Sequence, residues 1–171
     1  MQCFHRKNAW IGPNGLVFSP RHIQPDWRHI TVPCGKCAAC RLNKSSEWAT
    51  RVVHEMEYCE ESCFVTLTYE EAPEGYTLVK KDLQDFMKRL RINISRGVCG
   101  EHGKIRSFFA CGEYGTKKGR PHYHVLILGW QPHDLRYYKK SYSGEVIYIS
   151  DFLVSTWKHG FCPVGTCTNL S

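Results

Sequence analysis

The sequence contains no long apolar run, and its N-terminus lacks the apolar core of a secretory signal. A transmembrane helix would need roughly 18 or more apolar residues in succession, so we expect no membrane association. Without a signal peptide the chain is expected in the cytoplasm. The sequence also has no internal repeats and no low-complexity tracts, which excludes repeat architectures and argues against disorder.

The composition is that of a folded, basic protein. Hydrophobic residues make up 42% and aromatic residues 13% of the 171 residues, enough for a real core. The formal net charge is +7 and the sequence pI is near 8.9. This balance suits a polyanionic partner, and nucleic acid is the commonest one.

Ten cysteines are many for a cytoplasmic chain, where disulfides are rare and clustered thiols more often bind metal. Cys34, Cys37 and Cys40 form a C-x-x-C-x-x-C motif that can converge on Zn²⁺, with Cys3, His5 or another nearby histidine as fourth ligand. A redox-active dithiol, packed thiols or an iron–sulfur cluster are the alternatives. The other cysteines are interpreted as core or incidental: Cys59, Cys63, Cys99, Cys111, Cys162 and Cys167.

Hydrophobic periodicity predicts the order of elements. Residues 1–33 show no clear period and are expected to form an irregular arm. A helix is predicted over 41–58, with an apolar face formed by Leu42, Ala49, Val52, Val53 and Met56. From there the pattern predicts strands at 63–71, 105–114, 122–130, 145–150 and 161–168, and helices at 80–94 and 151–160. Residues 131–144 are expected to be a polar loop.

The order from residue 63 indicates an α+β fold. Strand, helix, strand, strand, helix, strand is the ferredoxin-like split βαβ pattern, an antiparallel sheet with its helices on one face. We therefore expect two parts: 1–60, with an arm, a cysteine cluster and a basic helix, and 61–171, the sheet core.

A metal site is predicted on the strand pair within 112–129. His122 and His124 are two residues apart on a strand, so their imidazoles leave the same face of the sheet. Glu113 lies near the end of the neighbouring strand, and the hairpin brings its carboxylate beside them. Two imidazoles and a carboxylate suit Mg²⁺ or Mn²⁺ with open positions for phosphate oxygens. The alternative is a pair of ordinary surface histidines.

Positive residues near this site and on the first helix are candidates for holding single-stranded DNA, which binds cationic grooves with aromatic platforms. The candidates are Arg41, Lys44, Arg51, Lys117, Lys118 and Arg120. Trp48 is either a base-stacking platform or, more commonly for tryptophan, a buried side chain. The run from Lys88 to Arg91 is interpreted as a solvated outer face.

The motifs taken together resemble a known family. FVTLTY (64–69) and GRPHYHVLILG (119–129) resemble motifs 1 and 2 of rolling-circle replication initiators of the HUH endonuclease superfamily. PCGKCAACR, a basic helix with Trp48, FVTLTYEEAP, DLQDFMKRLR and GEYGTKKGRPHYHVLILG occur in the order found in replication proteins of gokushovirus-like microviruses. The resemblance covers roughly residues 33–165.

The resemblance implies a site-specific endonuclease that nicks single-stranded DNA at a replication origin, in the cytoplasm of a bacterial host and alongside its replication machinery. A tyrosine would attack the phosphodiester and form a 5′-phosphotyrosine link. In such proteins the tyrosine lies on a helix after the last strand, so it is expected to be absent from this chain. Tyr137 and Tyr138 are the remaining candidates, in a polar loop.

Three alternatives stay open. A transposase or relaxase shares the histidine pair on its sheet. A truncated initiator or a non-catalytic, zinc-stabilised DNA-binding protein would bind metal and single-stranded DNA without cleaving it. A metal-storage or redox protein would account for the cysteines but leaves the basic hairpin unexplained.

Overall fold

A computed structural model describes residues 1–19, 21, 23–116 and 119–167. The chain divides into two compact units, Met1–Val52 and Val53–Ser171. Within the described residues, no helix is long and apolar enough to cross a membrane.

The N-terminal unit contains a three-stranded antiparallel sheet, so the expectation of an irregular arm over 1–33 was wrong. Its strands are β1 (Lys7–Gly12), β2 (Gly15–Val17) and β3 (Arg28–Val32), in the order β2-β1-β3. Strands of three to six residues, separated by turns, are too short to produce a readable alternation.

Helix α1 (Ala38–Met56) begins three residues earlier than predicted. Its predicted apolar face is largely exposed, with Leu42 at 52% and Val53 at 47% of their accessible surface. Ala39 and Cys40, in the first turn, are the buried residues of the helix. The period thus identified residues that share a face, but it carries no information about what that face packs against.

The second unit is built on a six-stranded antiparallel sheet in the order β5-β6-β4-β9-β8-β7. The strands β5-β6-β4-β9 have the ferredoxin-like arrangement that the sequence predicted. The strands are β4 (Ser62–Thr68), β5 (Ser107–Tyr114), β6 (Pro121–Leu128), β7 (Arg136–Lys140), β8 (Val146–Ile149) and β9 (Val164–Thr166). Strands β7 and β8 form an added hairpin, so the expectation of a loop throughout 131–144 was wrong.

Helices α2 (Lys80–Ser95) and α3 (Asp151–Trp157) pack on one face of this sheet. The apolar stripe of α2 is buried as predicted, with Phe86 and Leu90 fully enclosed. Arg89 departs from the expected solvated face because its guanidinium donates to the carbonyls of Thr156 and Trp157 at the end of α3, at 2.9 and 3.1 Å. That contact satisfies carbonyls that the short helix leaves without partners.

The alternation along β4 and β6 gives the sheet two unlike faces. Val65 lies opposite Val125, and both are fully buried against the helices. One residue along, Thr66 lies opposite His124 and points away from the core. A strand period of two therefore places the predicted site on the sheet face opposite α2 and α3.

Candidate metal centre

The strand register brings the three predicted ligands together. Glu113 on β5 lies directly opposite His122 on β6, and His124 follows two residues later on the same face. Nε2 of His124 lies 3.3 Å from a carboxylate oxygen of Glu113, and Nε2 of His122 lies 3.9 Å from the same oxygen. The three donor atoms, one from each residue, all lie within 4.8 Å of one another.

These separations suit a shared cation. Donor atoms bound to one ion at about 2.1 Å lie about 3.0 to 4.2 Å apart, depending on the angle between them. The set holds two nitrogens and one oxygen, a mixture that divalent ions of intermediate softness accept. The Glu113 side chain is 55% exposed, so one side of the site faces solvent. The three residues can therefore hold a divalent ion and leave coordination positions free.

Hydrogen bonds on the far side of each ring fix its orientation. Nδ1 of His122 lies 3.1 Å from the carbonyl oxygen of Arg120. Because a carbonyl only accepts, the neutral His122 ring carries its hydrogen on Nδ1 and presents a lone pair on Nε2. Nδ1 of His124 lies 3.1 Å from the Thr66 hydroxyl, which can accept in the same way. Such outer partners aim imidazoles at a metal.

The two rings lie in different surroundings. His124 stacks on Phe64, with ring centroids 5.2 Å apart, and stands perpendicular to His122 at 4.9 Å. Burial lowers the pKa of His124 below its ordinary value, and a positive charge on His122 lowers it further, against a smaller opposing effect of Glu113. The shift favours the neutral His124 ring, which is the form that binds metal.

The hairpin between β5 and β6 is anchored to β4 through Arg120. Its guanidinium donates to the carbonyls of Tyr69 and Glu70, at 2.6 and 2.9 Å. The predicted DNA contact Arg120 thus also holds the strand pair in place. Lys117 and Lys118, the other predicted contacts of this hairpin, lie outside the described residues.

A cavity of about 620 Å³ lies at the end of β4, and none of the three ligands lines it. Thr68, which pairs with His122, lines it together with Arg120, Lys158 and Glu70. Arg120 and Lys158 bring two positive charges to this lining and Glu70 brings one negative charge. Lys158 follows α3 in a left-handed conformation (φ 68°), a position that the sequence analysis did not single out.

Tyr137 and Tyr138 lie on β7, at the opposite edge of the sheet from the histidines. Strands β4, β9 and β8 lie between β6 and β7 in the sheet. Tyr138 packs against Phe161, with ring centroids 5.3 Å apart. The strand order therefore separates the two tyrosines from the strand pair that carries the ligands.

The predicted DNA contacts Arg41, Lys44 and Arg51 are all exposed on α1. Trp48 is exposed to 41%, unlike the buried side chain that is more common for tryptophan. The Arg51 guanidinium lies over its indole ring, 5.3 Å from the centroid. An exposed indole beside a cation has the character of a base-stacking surface.

The predicted cysteine cluster also converges. Cys3 joins Cys34, Cys37 and Cys40, whereas His5 is not a member of the group. Backbone N–H groups lower the pKa of Cys34, and bring that of Cys37 to about 6. Burial instead raises the pKa of Cys40 to about 12. All ten cysteines are free thiols; of the other six, Cys99 and Cys111 are exposed, Cys167 is half-buried, and the rest are buried.

Thr66 and Phe64 are parts of the site that the sequence analysis did not identify. Both alternate with the core residues of β4, so they were visible as members of the outward face. Which strand would lie beside the histidine strand could not be derived from local sequence, and without that pairing neither residue has a link to His124.

Comparisons with known proteins identify the family of the chain. Residues 62–171 match a family model described as that of the replication-associated protein ORF2. The chain is 35% identical over 170 residues to the replication-associated protein VP4 of Bdellovibrio phage phiMH2K, covering 98% of this chain and 54% of that protein. It is 34% identical over 143 residues to the replication-associated protein ORF4 of Chlamydia phage 1, covering 81% of this chain and 35% of that one.

A third relative is the replication-associated protein ORF2 of Spiroplasma virus 4, 34% identical over 146 residues, which are 81% of this chain and 44% of the relative. The chain spans about half the length of the relatives it matches, or less. No solved structure matches it significantly. The matched family model covers well over half of the residues, and the chain belongs to this ORF2 family of replication-associated proteins.

Proposed function

We propose that this chain is the metal-binding and DNA-contacting part of a rolling-circle initiator that nicks single-stranded DNA at a phage replication origin. The observation that carries the proposal is the convergence of His122, His124 and Glu113 on the outer sheet face. The names of the relatives support a role in replication.

In this proposal the chain's residues prepare a phosphodiester for attack. Arg120 and Lys158 would attract the DNA backbone toward the end of β4, and the three ligands would hold a divalent ion on the outer sheet face. Mg²⁺ or Mn²⁺ bound there supplies Lewis acidity toward a phosphate oxygen. Thr66 and the Arg120 carbonyl hold the imidazoles in the orientation that binding requires.

The proposed reaction is a transesterification. A tyrosine oxygen attacks phosphorus, the bond from phosphorus to the 3′ oxygen breaks, and the 3′ oxygen takes up a proton. The tyrosine loses its own proton and becomes a 5′-phosphotyrosine, while the free 3′-OH can prime synthesis. Because Tyr137 and Tyr138 lie on the far edge strand, we assign the attacking tyrosine to neither.

Metal-dependent binding of single-stranded DNA tests the part that this chain plays. The protein is titrated with labelled single-stranded fragments of the phage genome, once with Mn²⁺ and once with a chelator. We expect Mn²⁺ to raise the affinity of the wild-type chain, because the ion would contact a phosphate oxygen, and to leave the affinity of the His122→Ala, His124→Ala double variant unchanged. His54→Ala, which removes an exposed histidine of α1, is the matched control and should keep the response.

A second candidate is a DNA-binding protein that does not cleave, favoured by the placement of Tyr137 and Tyr138 on the edge strand β7, away from β5 and β6 in the strand order. It predicts tight binding of the same fragments whether or not Mn²⁺ is present. Binding that does not respond to Mn²⁺ would thus replace the first candidate by the second.

The DNA-contacting surface is assigned mainly to the N-terminal unit on grounds of charge. Residues 1–52 hold eight Lys and Arg against two Asp and Glu, whereas residues 53–171 hold fifteen against fourteen. Nearly all of the net charge of +7 therefore belongs to the smaller unit. Arg41, Lys44 and Arg51 are its exposed cations on α1.

Salt dependence tests this surface. Each phosphate of single-stranded DNA that a cation neutralises adds about −0.7 to the slope of log affinity against log salt. Replacing Arg41, Lys44 and Arg51 together by alanine should flatten the slope by up to about 2. The control removes the same charge from α2 with Lys80→Ala, Lys81→Ala and Lys88→Ala. Equal slopes for both triple variants would contradict the assignment.

A further inference from the structure

Four sulfur atoms meet at the start of α1, outside the site on the sheet. Sγ of Cys3 lies 3.8 Å from Sγ of Cys37, and Sγ of Cys34 lies 4.0 Å from Sγ of Cys40. All four sulfurs lie within 4.8 Å of one another. They come from two distant places in the chain, since Cys3 precedes β1 and the others follow β3.

The spacing of the sulfurs matches a tetrahedral metal centre. Zinc–sulfur bonds of about 2.3 Å place the four ligands of a tetrahedron about 3.8 Å from one another. A disulfide would need sulfurs about 2.05 Å apart, so neither of these pairs is a disulfide. A pair of redox-active thiols would not require the third and fourth sulfur at the same spacing.

The backbone around Cys34 is arranged to stabilise thiolates. The N–H groups of Lys36 and Cys37 donate to Sγ of Cys34 at 3.4 and 3.3 Å, and the N–H of Cys34 donates to Sγ of Cys3 at 3.2 Å. The turn that aims them passes through Gly35, whose φ of +74° favours glycine. Donors pointing at sulfur compensate the negative charge that metal-bound thiolates carry.

The N-terminal unit has little else to hold it together. Among its described residues, the buried apolar side chains are Ala9, Ala39 and Cys40, which are all small. Such a unit lacks the apolar core that a domain of this size needs, and a structural metal is the usual substitute. One of the three is itself a ligand of the proposed centre.

We propose that Cys3, Cys34, Cys37 and Cys40 form a structural zinc site that ties the N-terminal residues to the first turn of α1. Four sulfur ligands leave no position for substrate, so the centre is closed and its role is folding. Zinc has no redox chemistry and accepts tetrahedral sulfur without strain, which suits a reducing compartment.

Metal analysis of the full-length chain tests the site. Protein purified in reducing, zinc-supplemented buffer and then desalted should contain one zinc per chain by mass spectrometry. Cys34→Ser with Cys37→Ser should lose it, whereas Cys99→Ser, which removes an exposed thiol outside the cluster, should keep it. The His122→Ala, His124→Ala variant should also keep it, so the result does not depend on the proposed nuclease activity.

Cobalt substitution keeps the proposal falsifiable if the serine variant does not fold. Wild-type protein loaded with Co²⁺ should show the visible absorption of a tetrahedral thiolate centre, and added Zn²⁺ should bleach it. Wild-type protein without zinc, zinc retained by the double serine variant, zinc lost with the two histidines, or iron in place of zinc would each overturn the proposal.

Discussion

Different features stabilise the N-terminal unit and the sheet unit internally. Among the described residues, the sheet unit buries twenty apolar side chains and the N-terminal unit buries three. The N-terminal unit instead gathers four sulfurs, whereas the ligand set of the sheet unit lies outside its core. Under the two proposals, the ligands of the larger unit serve a substrate, whereas those of the smaller unit take the place of a core.

The two ligand sets also differ in how many coordination positions they leave open. The four thiols match a closed tetrahedral centre. The two imidazoles and the carboxylate form half of a coordination shell, and Glu113 faces solvent. An open shell on a rigid sheet is the arrangement of a reactive ion, and a closed shell is that of a structural one.

The largest effect is expected from removing both sheet histidines. His122→Ala with His124→Ala leaves a single carboxylate, so Mn²⁺ affinity at the sheet should fall by more than about 100-fold. Calorimetric titration measures it, with His54→Ala as control, and unfolding curves should show the fold retained. An unchanged Mn²⁺ affinity of the double variant would mean that the two histidines do not form an open metal site on the sheet.

The next largest effect is expected on the free energy of unfolding, when one leucine in each unit is shortened to alanine. Leu67 is fully buried, and Leu67→Ala should destabilise the protein by about 3 kcal/mol, the typical cost of such a cavity. Leu42 is 52% exposed on α1, and Leu42→Ala should cost less than about 0.5 kcal/mol. Urea denaturation compares them, and equal losses would show that α1 packs into a core after all.

A smaller effect is expected from the residue behind His124. Thr66→Val removes the hydroxyl bonded to Nδ1, so Mn²⁺ affinity should fall about 10-fold. Thr68→Val is the matched control on the same strand and face, because its hydroxyl donates to the Phe161 carbonyl instead. Equal effects of both changes would mean that the hydroxyl does not orient the ring.

The smallest effect concerns the titration of His124 in metal-free protein. Burial disfavours the imidazolium, so the pKa should lie below the ordinary 6.5 and the ring should stay neutral to lower pH. Phe64→Ala uncovers the ring and should raise the pKa by a fraction of a unit. Proton NMR of the ring follows both, and a downward shift in the variant would contradict the role of burial.

The elements with the strongest local periodicity were predicted correctly from the sequence. The stripe of α2 and the alternation of β6 identified core residues correctly because strongly periodic burial leaves a pattern in consecutive residues. The strands of the N-terminal unit and β7 were missed, being three to six residues long and surrounded by turn residues. Helix α1 does have the helical spacing of apolar residues that the sequence predicted, yet Leu42 and Val53 on that face are exposed.

The sequence alone determined that His122 and His124 share a face, because a two-residue repeat is a property of any strand. It also determined that three thiols of the C-x-x-C-x-x-C motif can approach one another, because short spacings limit how far apart they can lie. The hairpin that the sequence predicted also brings Glu113 beside the two histidines, because its two strands are neighbours in the chain. Tertiary structure decided the distant partners: Thr66 reaches His124 through the pairing of β4 with β6, and Cys3, rather than His5, joins its cluster from 31 residues before Cys34. Long-range pairing depends on how whole elements bury their surfaces, which no local window of sequence contains.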